Sequence, residues 1–521
     1  MESPTKRLKT ALCLDTQDPA LEEALEVDAL KDVVVSPLAT LSANGDGSDE
    51  DDESLDVGER LCRWLEANGA ELSKLRIETY APEVRGVHAR DTFAAKERVM
   101  RIPLNCLITV EMGKATELGQ RLLHLEFGAP KHIYLMMFLL TDMELGNGSF
   151  FKCYYDSLPS SLSNMPIFWT AHELAWLQGS HILHLIEDRK AAIERDYRTI
   201  CNEVPDFGSR FTLDRFAWAR MIVCSRNFGI TIDGIKTAAL VPYADMLNHF
   251  RPRETCWTYD ASAMGFTITA LHSIPAGAQV YDSYGKKCNH RFLLNYGFAV
   301  KDNVEADGRN PNEVWIPLSF LPNESPLLTS AKRQYLHDSG VHSMDCRFST
   351  CHSDVNTREG LSFLRLIVSS DAEFERMAAT APAHAVPPLS LDNERRALQH
   401  LGALATVQLY QYATTLADDT AMLESGAIDP FSNRAQALYF VRGEKQVCAH
   451  FQQLAHEAQR VLSLPPHEAA SVCRDMYEDA DDVMSCYLAD VIGYLVPASH
   501  NKQDDELVGV HAASTTTAND V

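Results

Sequence analysis

Residues 281–298 read YDSYGKKCNHRFLLNYGF, and VPYADMLNHF occupies residues 241–250, about forty residues earlier. Tyr284-Gly285 and Tyr296-Gly297 stand twelve residues apart, and Asn248-His249 closes the earlier stretch. Phenol hydroxyls, an amide, an imidazole and flat aromatic faces are groups that wall a cofactor and align a polar acceptor. The competing reading is a strand, a turn and a helix in an ordinary core. A lone Tyr-Gly or Asn-His pair favours the second reading, so the surrounding elements have to decide.

Those elements fall into blocks. From residue 1 to about 57 the chain is acidic and reads as disordered. Between Asp15 and Asp56 there are fourteen acids and one base, so this stretch alone carries −13 of the formal −25. GERLCRWLEANGAEL, from Gly58, reads as a helix with Leu61, Trp64 and Leu65 on one face. Short alternating runs follow, centred on Ile77, Val87, Val99 and Ile102. Residues 115 to about 220 read as helical, and strands return over 237–284. HRFLLNY reads as a short helix that Asn289 caps and Gly297 ends. Beyond about 312 the pattern is helical, with Leu398, Leu401, Ala405 and Tyr412 on one face, and the tail from 499 is polar. The expected class is α+β: small sheets interrupted by a helical insertion, then an all-α C-terminal domain.

Several chemistries are excluded. There is no GxGxxG, no GxxxxGK[ST] and no GxSxG, and HELAW at 172–176 lacks the second histidine of a zinc-protease helix. The thirteen cysteines are scattered without a CxxC, so no metal is expected and a reducing compartment is. The mildly acidic body argues against direct nucleic-acid binding. The longest apolar run, IYLMMFLL at 133–140, is too short for a bilayer, so no membrane association is expected. A soluble, monomeric protein of the cytoplasm or nucleus is the expectation. Lys6, Arg7 and Lys9 are the only import-like cluster.

Three segments together, PEVRGVHARDTFAAKERVMRIP at 82–103, VPYADMLNHF and YDSYGKKCNHRFLLNYGF, resemble the SET-domain methyltransferases. The resemblance is to the branch with a split catalytic domain, which includes the Rubisco large-subunit lysine methyltransferase and the actin-histidine methyltransferase. It covers about residues 58–311, and YFVRGEKQVC at 439–448 looks like part of that branch's substrate-binding domain, here 312–498.

The resemblance implies S-adenosylmethionine as methyl donor and a protein as substrate. It implies that Tyr284 is the catalytic hydroxyl and that Asn248 and His249, with Asp245, Met246 and Leu247 before them, meet the donor. Arg226 would lie near the donor's carboxylate, Glu83, Val84 and Arg85 would offer backbone contacts, and Tyr296, Gly297 and Phe298 would pack on its adenine side. Val84 departs from the family's usual glycine. Phe228 and Ala244 would line the acceptor channel with Tyr284. The histidine-methylating members carry Asn and Trp at those two positions, so the expected acceptor is a lysine ε-amine. Histidine, an idle scaffold and a chromatin regulator are the alternatives.

Overall fold

The computed structural model describes residues 55–81, 84–305, 308–476 and 483–496. The acidic segment up to residue 54, Glu83 and the tail from 499 lie outside the described residues. The chain forms two compact units. The first is Met1–Glu313 with Gln411–Glu444, and the second is Val314–Tyr410 with Lys445–Val521. Residues 411–444 thus belong with the first unit, and the division falls inside the Asn433–Val461 helix.

The first unit opens on the Val57–Ala67 helix, which starts where Asp56 and Glu59 form a reciprocal cap. Leu61 and Leu65 are fully buried on its core face. Three small sheets follow. β1 (Leu75–Ala81), β2 (Val84–Ala89), β10 (Gln279–Asp282) and β7 (Asn248–His249) form the first, in that order. β3 (Arg98–Pro103), β9 (Gly265–Ala270) and β8 (Thr255–Asp260) form the second. β4 (Ile108–Thr109), β6 (Ile235–Leu240) and β5 (Asn227–Ile232) form the third. The strand block starts at Asn227, ten residues before the expected 237, because ITIDGIK is itself a hairpin that turns at Asp233-Gly234 with φ positive at both.

Between β4 and β5 the chain is helical, as the composition predicts, and its longest helix is Ile182–Glu203. Its apolar side chains join those of the sheets in one core containing Ile133, Tyr154, Phe216 and Phe266.

The second unit has its own core, built on the Val355–Ile367 and Leu391–Leu409 helices. Leu398, Leu401 and Ala405 are buried there, as their spacing predicts. The region after 312 is not all-α: β11 (Glu313–Pro317) and β12 (Asp345–Ser349) pair as a two-stranded sheet. Each strand is five residues long, too short for its alternation to stand out against the helical periods around it. Tyr412 lies past the helix end, in the first unit.

Candidate active site

Four places in the first unit bring the expected residues together. β10 runs parallel to β7, pairing Tyr281 with Asn248 and Asp282 with His249. That register puts Tyr284, two residues past β10, beside the Asn-His pair. The Tyr284 backbone N–H donates to His249 Nδ1 at 3.0 Å, and its hydroxyl donates to the Leu247 carbonyl at 2.7 Å. Burial pushes the phenol well above its ordinary value, helped by Asp282. The hydroxyl therefore keeps its proton near neutral pH, and that proton is committed to Leu247. Only its lone pairs remain to receive a donor.

The segment before Asn248 is bent sharply. Tyr243 has φ 73° and ψ −45°, a conformation costly for a residue with a Cβ. A single 3-10 turn, Ala244–Met246, follows. The bend turns Asp245 inward, where its side chain is fully shielded from solvent. Asp245 Oδ2 accepts from Arg226 Nη1 at 3.2 Å and from the Tyr154 hydroxyl at 2.9 Å, and its carbonyl accepts from Arg226 Nη1 at 3.0 Å. Arg226 ends the Leu213–Arg226 helix. Burial opposes its charge, but the Asp245 carboxylate more than offsets this and holds the guanidinium above its usual range.

His249 sits among rings. Its centroid is 4.8 Å from Phe292, 5.2 Å from Tyr284 and 6.1 Å from Phe298. Burial, then Arg251 and Lys287, lower its imidazole to about 3, so it is neutral. Nδ1 accepts from Tyr284, which leaves the proton on Nε2. Tyr296 stacks on Tyr284 at 4.8 Å, and Phe298 stacks on Phe292 at 5.2 Å.

The Asn289–Tyr296 helix carries this wall. Gly297 ends it at φ 77°, and a Cβ there would stand 2.3 Å from Asn164 Nδ2. The expected cap at Asn289 is not formed. Cys288 is the cap residue, and the Asn289 side chain instead exchanges two 2.9 Å hydrogen bonds with the Val300 backbone.

The remaining expected residues divide. Asn248 Nδ2 donates to the Arg85 carbonyl at 2.9 Å, tying β7 to β2. Arg85 turns its guanidinium onto the Ser157 carbonyl, and Val84 opens β2. Ala244, Met246 and Leu247 are buried. Phe228, on β5, packs edge-on against Phe266 at 4.9 Å and Trp257 at 5.4 Å. The Arg442-Gly443-Glu444-Lys445 patch is no solvated face: Glu444 is buried and accepts from Ser180 and Tyr412, both at 3.0 Å. Sequence reasoning missed Tyr154 and also Asp282, whose buried carboxyl is pushed up to about 6. Tyr154 carries no local motif, and Asp282 stands inside YDSYG without a signal that its carboxyl is buried.

Three buried polar atoms here have no hydrogen-bond partner among the described residues: Arg226 Nε, Asp245 Oδ1 and His249 Nε2. Such orphans are costly unless a ligand satisfies them. A guanidinium donor and a carboxylate acceptor side by side match the two ends of an amino acid. Aromatic faces next to them match a purine.

A family model described as Rubisco LSMT substrate-binding matches residues 323–447. Two solved structures have the same fold. One, "Structure of Rubisco LSMT bound to AdoMet", gives a TM-score of 0.61 at 22% identity over 78% of this chain and 93% of that one. The SET domain of LSMT bound to lysine and AdoHcy also gives 0.61, at 21% identity over 78% and 92%. The chain shares its fold with the SET domain of LSMT. Relatives in sequence include the actin-histidine N-methyltransferase of Gallus gallus, 26% identical over 82% of this chain and 72% of that protein. The Homo sapiens enzyme of the same name shows the same identity and coverage. These relatives are protein N-methyltransferases, and one of the structures is bound to AdoMet. Among its described residues no helix is long and apolar enough to cross a membrane.

Proposed function

We propose that the chain transfers a methyl group to a side-chain nitrogen of a protein, with residues 58–311 as catalytic domain and 312–498 as substrate-binding domain. The observation that carries the reading is the convergence of Tyr284, Leu247, Asp245, Arg226 and His249, with their three unsatisfied polar atoms, in one aromatic-walled site. S-adenosylmethionine supplies a methyl group on a positively charged sulfur.

This chain's residues do the rest. Arg226 Nε is free to donate to the methyl donor's carboxylate, and Asp245 Oδ1 is free to accept from its ammonium. His249, Tyr296 and Phe298 wall the adenine side. Val84 and Arg85 border the same strand edge. Tyr284 is the group that meets the acceptor. Its proton stays on Leu247, so it positions the acceptor by taking an N–H rather than by removing one. Holding a neutral nitrogen in line between aromatic walls supplies most of the gain.

The acceptor is a finer question. The named relatives act on histidine, and they support a histidine nitrogen over the lysine expected from Phe228 and Ala244. A neutral imidazole suits this site, because its ordinary pKa of about 6.5 leaves a lone pair free at pH 7. Lysine stays as a second reading on one observation: Phe228 is fixed against Trp257 and Phe266 and has no polar group to offer an imidazole.

The test is transfer from heavy-methyl S-adenosylmethionine into a cell extract, read by mass spectrometry, with Tyr284→Phe in parallel. Label on histidine, lost in the variant, is the expected result. Label on lysine selects the second reading. No label in extracts that contain diverse folded proteins removes the enzymatic proposal and leaves a binding scaffold.

A further inference from the structure

The run between the two Tyr-Gly pairs holds a feature that the methyl-transfer site does not use. Cys288 Sγ lies 3.0 Å from His290 Nδ1 and 3.6 Å from His290 Nε2. His290 Nδ1 lies 3.8 Å from Glu313 Oε2. One ligand atom from each of the three residues falls within 4.8 Å of the others, and both Cys288 and His290 are buried. All three belong to the first unit.

We propose that Cys288, His290 and Glu313 form a binding site for a zinc-type divalent cation. Thiolate, imidazole and carboxylate together are a donor set for a borderline-soft ion, whereas magnesium and calcium prefer oxygen alone. Bonds of about 2.3 Å to sulfur and about 2.0 Å to nitrogen and oxygen put tetrahedral ligands roughly 3.3–3.6 Å apart. The sulfur–nitrogen separation lies just below that range and the nitrogen–oxygen separation just above it, while the sulfur and the oxygen lie within 4.8 Å of each other, so side-chain rotations close the site. A doubly charged cation also neutralises one thiolate and one carboxylate, which offsets the cost of their burial. His290 and Glu313 also line one small cavity.

The spacing gives no warning of this. Cys288 and His290 flank a helix start, and Glu313 arrives at the first residue of β11. Binding ties those two places together. The same helix presents Phe292 and Tyr296 to His249 and Tyr284, so the ion acts as a brace behind the aromatic wall. It takes no part in methyl transfer, and the proposal stands whichever nitrogen is methylated. On binding, the Cys288 thiol loses its proton to solvent and the sulfur–metal bond replaces the S–H bond.

The full-length chain, stripped with a chelator, is titrated with cobalt(II) alone and then with zinc(II) alone. Cobalt is expected to saturate at one ion per chain with an intense near-ultraviolet thiolate-to-cobalt band, releasing one proton, and zinc is expected to displace it. Cys288→Ser abolishes the band, and Glu313→Gln keeps it while weakening binding about tenfold or more. The circular dichroism of both variants is recorded, and Glu313→Gln carries the test should Cys288→Ser fail to fold. Absence of a saturable band overturns the proposal. So does a band that survives in folded Cys288→Ser, since the chain has twelve other cysteines, or a Glu313→Gln affinity equal to wild type.

Discussion

Asp245→Asn is the sharpest probe of the site. The wild-type carboxylate is fully shielded and takes Arg226 at 3.2 Å and the Tyr154 hydroxyl at 2.9 Å. Both bonds fall on Oδ2, so an amide that places its oxygen there keeps both. What disappears is the charge that balances Arg226. Removing one member of a buried pair costs about 3–5 kcal/mol, and the retained acceptor argues for the low end, about 3. For a unit of this size, that is a fall in melting temperature of roughly 6–12 °C.

A second effect is separate. A charge-assisted hydrogen bond contributes about 1.5–3 kcal/mol. Arg226 can deliver it through Nε only while Asp245 pins the guanidinium. Losing half of that weakens S-adenosylmethionine binding by about three- to twelvefold, since 1.4 kcal/mol is a factor of ten. Calorimetric titration with S-adenosylmethionine and a thermal melt read the two effects independently. A dissociation constant within twofold of wild type, together with a melting shift below about 2 °C, would refute the idea that this pair organises the site.

Other consequences are as direct. His249 has its pKa lowered to about 3 against about 6.5 unfolded, so its contribution is intact above pH 6.5 and is lost as pH falls toward 3. At pH 5 wild type should therefore lose about 2 kcal/mol relative to its stability at pH 7.5 that His249→Gln does not lose, as read by urea unfolding. Asp282, raised to about 6 by burial, works in the opposite sense: its contribution is present below about 3.9 and fades as pH rises through 6, so the comparison must be made against the variant. Gly297→Ala forces a Cβ into φ 77° and onto Asn164, and should cost about 2–4 kcal/mol in the same assay. Tyr154→Phe removes one of the two side-chain donors to Asp245, and should raise the KM for S-adenosylmethionine several-fold with kcat changed less, while leaving the acceptor's KM alone.

What the sequence makes legible here is what is local. Gly297 ends a helix because only a left-handed residue fits there, and the apolar spacing of HRFLLNY already says so. The parallel pairing of β7 with β10 rests on two residues a side, too few to leave a period, and becomes visible only through the motif on each strand. Tyr154 is beyond reach, since it meets Asp245 across ninety-one residues of chain and sits in a run rich in other aromatics. The cap at Asn289 fails for a related reason: a distant partner, Val300, competes for the side chain and satisfies both of its polar atoms. The same logic bears on Tyr243. Its φ of 73° is a strain that no composition reveals, yet this bend turns Asp245 into the core and leaves the Leu247 carbonyl facing Tyr284. The motif ADMLNH is therefore less a set of contact residues than a folded bracket. Its side chains at 245 and 249 leave one polar atom each unsatisfied, and its carbonyl at 247 fixes the proton of the Tyr284 hydroxyl. On the proposed reading, a Tyr284 whose proton is fixed would serve an imidazole or an amine equally well, and the choice between them would lie in the walls, at Phe228 and Ala244.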